Sequence, residues 1–131
     1  IPEEGIYISN TDLYQTVNAV NAGDESCGIE VVFKALGEVV NPRLTNDDTG
    51  EFIQVNQTLQ LGDVLTVTTH FLNKRAVLNQ GGIETNVFNW IDLESTFLQL
   101  SVGDNNLSFD AYAGLDNLEI TIKYAPRYLG V

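Results

Sequence analysis

Methionine is missing altogether, cysteine and histidine occur once each, and lysine and arginine together number only 6. Each scarcity removes a class of function. With Cys27 alone no internal disulfide can form. The compartment stays open, because one thiol can sit buried in any of them. No histidine or basic residue stands beside Cys27 in sequence to lower its pKa, so it reads as an inert, half-buried thiol. A Ser-His-Asp or Cys-His arrangement would have to be built on His70, which ends a β-patterned run beside Phe71. Zinc sites usually take several His or Cys ligands, and one of each is available. The 6 basic residues face 18 acidic ones, a formal charge of −12. Such a surface repels phosphate backbones and anionic lipid heads, which argues against nucleic acid or a membrane as partner. The acids are spread along the chain, the pattern of a soluble, self-repelling surface. No apolar run approaches the ~20 residues that span a bilayer, and no basic-then-apolar signal segment opens the chain. The start at Ile1-Pro2, without an initiator Met, points to an excised domain or a processed product. Its missing N-terminal part would then hold much of the function.

What is present is a two-residue period. The chain of 131 residues is the size of one domain. At that size it folds without disulfides or metal. In Leu118 to Tyr124 every even-numbered residue is apolar and every odd-numbered one polar, the mark of a strand with one face on a core. Ile29, Val31, Phe33 and Ala35 alternate in the same way, as do Leu107, Phe109 and Ala111. Leu65, Val67 and Thr69 share one face of a run from Val64 to His70, and Ile53 and Val55 one face of a run from Phe52 to Asn56. Gly5 to Ser9 reads as a further strand, and Ser9 to Asp12 as a loop. Turn signals separate the runs: Asn21-Ala22-Gly23-Asp24, Asn41-Pro42, Asp48-Thr49-Gly50, Leu61-Gly62-Asp63, Asn73-Lys74, Gln80-Gly81-Gly82 and Val102-Gly103-Asp104-Asn105. Many short strands at this spacing predict an all-β fold, an antiparallel sandwich or barrel. At most one short helical turn is predicted, between Asn89 and Thr96. Phe33, Leu65, Val67, Leu100, Phe109, Ile120 and Ile122 are the predicted core.

Candidate chemistry is thin. Asp47, Asp48 and Glu51 cluster, and Asp92 and Glu94 lie near Trp90, so a glycosidase-type carboxylate pair can be drawn. A chain with 18 acids makes such pairs by chance. Asn46-Asp47-Asp48 has oxygen ligands suited to calcium but lacks the spaced pattern and terminal Glu of a calcium loop. Turn stabilisation by Asx hydrogen bonds is the simpler reading. Gly81-Gly82 is too short for a phosphate loop and no helix follows it. No cofactor is implied. Trp90, the single tryptophan, is the candidate sugar platform; in a small sandwich such a residue is more often core.

Two resemblances bear on the segment from Asn41 to Asn56. Asn41-Pro42-Arg43 is similar to the sugar-contacting N-P-R of galectins, which also place a Trp in a W-G-x-E-x-R stretch. The galectin His two positions before that Asn is here Val39, Ile91 stands in place of the Gly, and Leu93 in place of the Glu. The sugar-specific polar groups of the galectin site, its His and Glu, are therefore absent, and a site without them has little power to select a sugar. A longer resemblance covers residues 17 to 131. The order Asn21-Ala22-Gly23-Asp24, Gly37 with Asn41-Pro42, Asn46 with Thr49-Gly50-Glu51, then Leu61-Gly62-Asp63 resembles the C-terminal domain of siphovirus-type phage distal tail proteins. Asp92-Leu93-Glu94-Ser95, Leu100, Val102-Gly103-Asp104-Asn105, Ile122-Lys123-Tyr124 and Tyr128-Leu129-Gly130-Val131 continue it.

That resemblance implies an antiparallel β-sandwich of galectin-like or jelly-roll type, residues 17–131. Residues 1–16 would be a strand or linker from an upstream belt domain. It implies a non-enzymatic component of a phage or prophage tail tip, an adaptor that docks other baseplate or receptor-binding proteins. The full-length protein would be a homo-hexamer assembled in the bacterial host cytoplasm, and this piece alone a monomer. Asn41, Pro42, Thr49, Gly50, Gly62, Gly103 and Asn105 would be structural turn positions. The rival function is a carbohydrate-binding module for the host cell wall, with Trp90 as its platform.

Overall fold

Apolar–polar alternation sorts the strands into two layers. The computed structural model describes residues 4–8 and 16–128, with side chains from residue 16 onward. The strands in chain order are β1 (Glu4–Ile8), β2 (Thr16–Asn18), β3 (Cys27–Gly28), β4 (Glu30–Ala35), β5 (Val39–Val40), β6 (Arg43–Asn46) and β7 (Phe52–Gln54). They continue with β8 (Thr58–Leu59), β9 (Val64–His70), β10 (Asn73–Gln80), β11 (Ile83–Asn86), β12 (Gln99–Leu100), β13 (Asn106–Asp110) and β14 (Leu118–Tyr124). A six-stranded sheet runs β1-β14-β4-β9-β10-β11 and a four-stranded one β2-β13-β6-β7, with β12–β3 and β5–β8 as separate pairs. Neighbouring strands pair antiparallel. The predicted strand over Gly5–Ser9 is β1, on the edge beside β14. The expected loop at Ser9–Asp12 and the Leu129–Val131 end lie outside the described residues.

Register turns the alternation into rows. Ile122, Val31, Val67 and Ala76 lie directly across from one another on four adjacent strands, and Ile120, Phe33, Leu65 and Leu78 form the next row. On the other sheet Phe109, Leu44 and Ile53 make a third. All these side chains belong to one buried cluster between the sheets. The seven predicted core residues are all within it, none more than 2% exposed. Thr69 is also fully buried; its hydroxyl donates to the Leu98 carbonyl at 2.7 Å and accepts from the Ile29 amide at 2.8 Å.

One turn of 3-10 helix occupies Phe88–Trp90 and another Leu115–Asn117. The second has no apolar period to announce it. Gly114 opens it in the left-handed region (φ 76°), and a Cβ there would collide with the Glu38 carbonyl. Asn117 closes it, donating from its side chain to that carbonyl at 3.0 Å and accepting from the Leu36 amide at 2.8 Å.

Two stability outcomes follow from this packing. Phe33→Ala empties the middle of a row and is expected to cost about 3–5 kcal/mol by chemical denaturation. Gly114→Ala meets both a left-handed φ and a backbone collision, whereas Gly50→Ala (φ 80°) meets open space. The first should therefore cost several times the roughly 1 kcal/mol expected of the second; equal losses would contradict the close approach.

Candidate functional site

The segment from Asn41 to Asn56 turns on one buried side-chain amide, that of Asn46. The Asn46 side-chain oxygen accepts from the amides of Asp48 and Thr49 at 2.9 and 3.3 Å. Its backbone accepts from Gly50 at 2.8 Å and donates to Glu51 at 2.7 Å, closing the β6–β7 hairpin. Gly50 takes a left-handed φ of 80°, as this turn requires. The acids that might have been catalytic or calcium ligands face β13 instead. Ser108 donates to Asp47 at 2.7 Å, and the Asn106 amide and side chain each donate to Asp48 at 3.1 Å. Glu51 accepts from the Thr49 hydroxyl at 3.2 Å. Among the described residues no three His, Cys, Asp or Glu side chains form a group that could hold a metal ion.

Asn105 plays the same part just before β13, at the same end of the strand. Its amide nitrogen faces the carbonyls of Ala19, Ser101 and Gly103 at 3.1, 2.8 and 3.1 Å, and its oxygen accepts from the Ser101 amide at 2.9 Å. Asn21, also buried, donates to the carbonyls of Glu25 and Leu100 and accepts from the Gly23 amide. Gly62 and Gly103 both take positive φ, at 90° and 94°. Pro42 is buried, and its carbonyl accepts from Val55 at 3.0 Å.

Asn41 and Arg43 line a recess to which Trp90 does not contribute. Asn41 has a φ of 50° and leads into β6. Arg43 lies directly across from Asp110 on one side and Gln54 on the other, on the outer face of the four-stranded sheet. Its guanidinium carbon stands 3.7 Å from the centre of the Phe52 ring. Its Nε is buried with no hydrogen-bond partner. Asn41, Arg43, Gln54, Asp110, Ala111 and Tyr112 line a recess of about 200 Å³. Nothing in the sequence period joined Gln54, Asp110 and Tyr112 to the Asn-Pro-Arg segment; strand register does so.

Trp90 is half-buried against the core, at the start of a segment that covers the edge of β7, where the Asp92 and Thr96 amides donate to the Gln54 and Phe52 carbonyls. Its carbonyl accepts from the Asn56 amide at 2.7 Å, and the Asn56 side chain donates to Asp92 at 2.9 Å. Phe88 stacks on Phe97 with ring centres 5.5 Å apart. His70 is exposed at the end of β9. It shares a recess of about 340 Å³ with Cys27, Gln99 and Arg127. Burial pushes the Cys27 thiol above its ordinary pKa and outweighs the opposing charge of Arg127, which keeps the thiol protonated and unreactive.

Two carboxylates titrate below their usual range. Asp48 is lowered by hydrogen bonds from Asn106, its backbone first and then its side chain; Asp92 by the Asn56 side chain and then the Glu94 amide. A depressed folded pKa gives stability that is present above the unfolded value and lost as pH falls through the folded one. Acid destabilisation from these two groups is thus expected only below about pH 3.9. Asn106→Ala should return Asp48 toward the ordinary value; a carbon-detected NMR titration of Asp48 at or above that value in the parent protein would contradict the assignment. Addition of a chelator should leave the melting temperature unchanged, and a large drop would restore a calcium role to the Asp47 turn.

Residues 22–128 match the family described as siphovirus-type tail component, C-terminal domain. Among solved structures, the fold is similar to that of the Dit (gp 19.1) protein of phage SPP1, described as a paradigm of the hub adsorption apparatus in phages that infect Gram-positive bacteria. The TM-score is 0.73 at 14% identity, over 95% of this chain and 46% of that one, so the chain spans about half the length of the SPP1 protein. No curated protein sequence matches. The chain belongs to the siphovirus-type tail component family, as its C-terminal domain.

Proposed function

We propose that this domain is an adaptor at the virion tail tip, which docks other tail or receptor-binding proteins and works by shape rather than by catalysis. The observation that supports this most is that the family match, residues 22–128, takes in nearly the whole described sandwich. In this reading residues 1–16 lead in from an upstream belt domain. The full-length protein forms a homo-hexamer, assembled in the bacterial host cytoplasm, and the domain alone stays monomeric.

The β9–β10 hairpin is the docking element favoured by its chemistry. Its two tip residues, Phe71 and Leu72, are 78% and 88% exposed. Leu72 holds a φ of 65°, a conformation that a bulky side chain adopts at a cost. A turn selected for folding alone would place Gly or Asn there. Lys74 stands 5.9 Å from the Phe71 ring and Arg75 follows it, in a protein of net charge −12. The matching partner surface is apolar at its centre and acidic at its rim.

The test pairs the full-length protein with the other tail-tip proteins of its source genome in co-expression and co-purification. Leu72→Gly combined with Phe71→Ser should leave the fold intact or about 1 kcal/mol more stable by relief of strain, and should abolish capture of a tail partner that the parent protein retains. Undiminished capture would remove the hairpin from the docking surface, and capture of no tail protein by the parent would remove the adaptor role. Light scattering on the isolated domain should give a monomer; a stable hexamer would place ring contacts in this piece. Binding of host cell-wall carbohydrate is the second reading, and the feature that favours it is the recess around Arg43 rather than Trp90.

A further inference from the structure

We infer that the recess on the outer face of the four-stranded sheet is a binding site for a single neutral saccharide ring, with Tyr112 as its stacking platform and Arg43, Asp110 and Gln54 as its hydrogen-bonding floor. This gives the carbohydrate reading a site, and it is independent of the adaptor role.

The floor is built by register. Asp110, Arg43 and Gln54 lie side by side on β13, β6 and β7. The row beneath contains Ser108, Thr45 and Phe52 on the same three strands. Phe52 holds the Arg43 guanidinium flat against its ring, 3.7 Å from the centre, so the donor fork is fixed before any ligand arrives. The Nε of that fork is buried and has no acceptor in the protein. Its burial closes that nitrogen to a ligand as it does to water, so the terminal nitrogens of the guanidinium are the donors that the recess offers to a ligand oxygen.

Acceptors complete the floor. One Asp110 carboxylate oxygen takes the Ala111 amide at 2.8 Å, which fixes the group and leaves its second oxygen. Gln54 donates its amide nitrogen to Asn56 at 2.8 Å, which orients its oxygen as an acceptor. Asn41, with a left-handed φ of 50°, brings a donor and an acceptor to the rim. Tyr112, 85% exposed, also lines the recess and is its one aromatic side chain.

These groups decide the ligand class. A simple anion would suit Arg43 but meets the Asp110 carboxylate beside it. A simple cation meets the guanidinium. An apolar ligand would bury an unpaired donor and two acceptors. Vicinal hydroxyls of a pyranose both donate and accept, so they can satisfy a fixed donor and a fixed acceptor side by side, while the C–H face of the ring covers an aromatic. The volume of about 200 Å³ limits the occupant to one ring, below the usual range for larger ligands. A shallow, open site of this kind binds at around millimolar strength.

The experiment is an amide-resolved NMR titration of the labelled domain with a panel of methyl pyranosides, carried to tens of millimolar, with sodium sulfate as the anion control. At least one pyranoside is expected to shift the amides of Arg43, Gln54, Asp110 and Tyr112. Tyr112→Ala, an exposed position that does not threaten the fold, should weaken that binding about tenfold or more, and Trp90→Phe should leave it unchanged. Three results would overturn the site. No pyranoside moves these amides, sulfate moves them in place of the sugars, or binding is lost with Trp90→Phe and kept with Tyr112→Ala. None of these bears on capture of tail partners, so the adaptor reading stands or falls by its own test.

Discussion

The packing of two apolar sheet faces against each other is the constraint on which the rest of this domain depends. Phe33 sits in the middle of a row that also contains Ile120, Leu65 and Leu78, and the row beside it joins Ile122, Val31, Val67 and Ala76. Across the core stand Phe109, Leu44 and Ile53. A slip of one residue in any of these strands would turn its apolar set to water. Register is therefore locked, and with it the polar residues on the outer faces. Asp110, Arg43 and Gln54 are neighbours only because Phe109, Leu44 and Ile53 are.

Buried amides carry this order out into the loops. Asn21, Asn46 and Asn105 each sit almost fully buried at a loop and bond to backbone groups that no strand supplies with partners. These bonds tie the loops to the backbone beside them and set the geometry of their ends. For a member of a tail-component family such set geometry is useful in itself, because a docked partner then loses little freedom on binding. The hairpin tip at Phe71-Leu72 departs from this economy, with an exposed apolar pair in a strained turn, and that departure is the reason for proposing it as the docking element.

Most of the sandwich was legible in the sequence because its strands alternate. Leu118 to Tyr124 and Ile29 to Ala35 declared both their state and their inner face, and the order of turns carried the family. The short second 3-10 turn was not legible, since Leu115 to Asn117 has no period and depends on the close approach of Gly114 to Glu38. The Asn41-Pro42-Arg43 segment was visible as a cluster, but its surroundings were not. Gln54, Asp110 and Tyr112 reach it through pairings between strands far apart in the chain, and no local pattern encodes those. Trp90 drew notice as the sole tryptophan, yet its half-buried indole packs on the core. Rarity of a residue type says little about where its side chain goes.

The role proposed for this sandwich is that of a docking module at a phage tail tip. Electron cryo-microscopy of intact virions is the decisive measurement. Density for the domain is expected at the tail tip, its strands as described, with the Phe71-Leu72 hairpin in contact with a neighbouring tail protein. A domain found away from the tip, or held there with that hairpin and every other loop in open solvent, would contradict it.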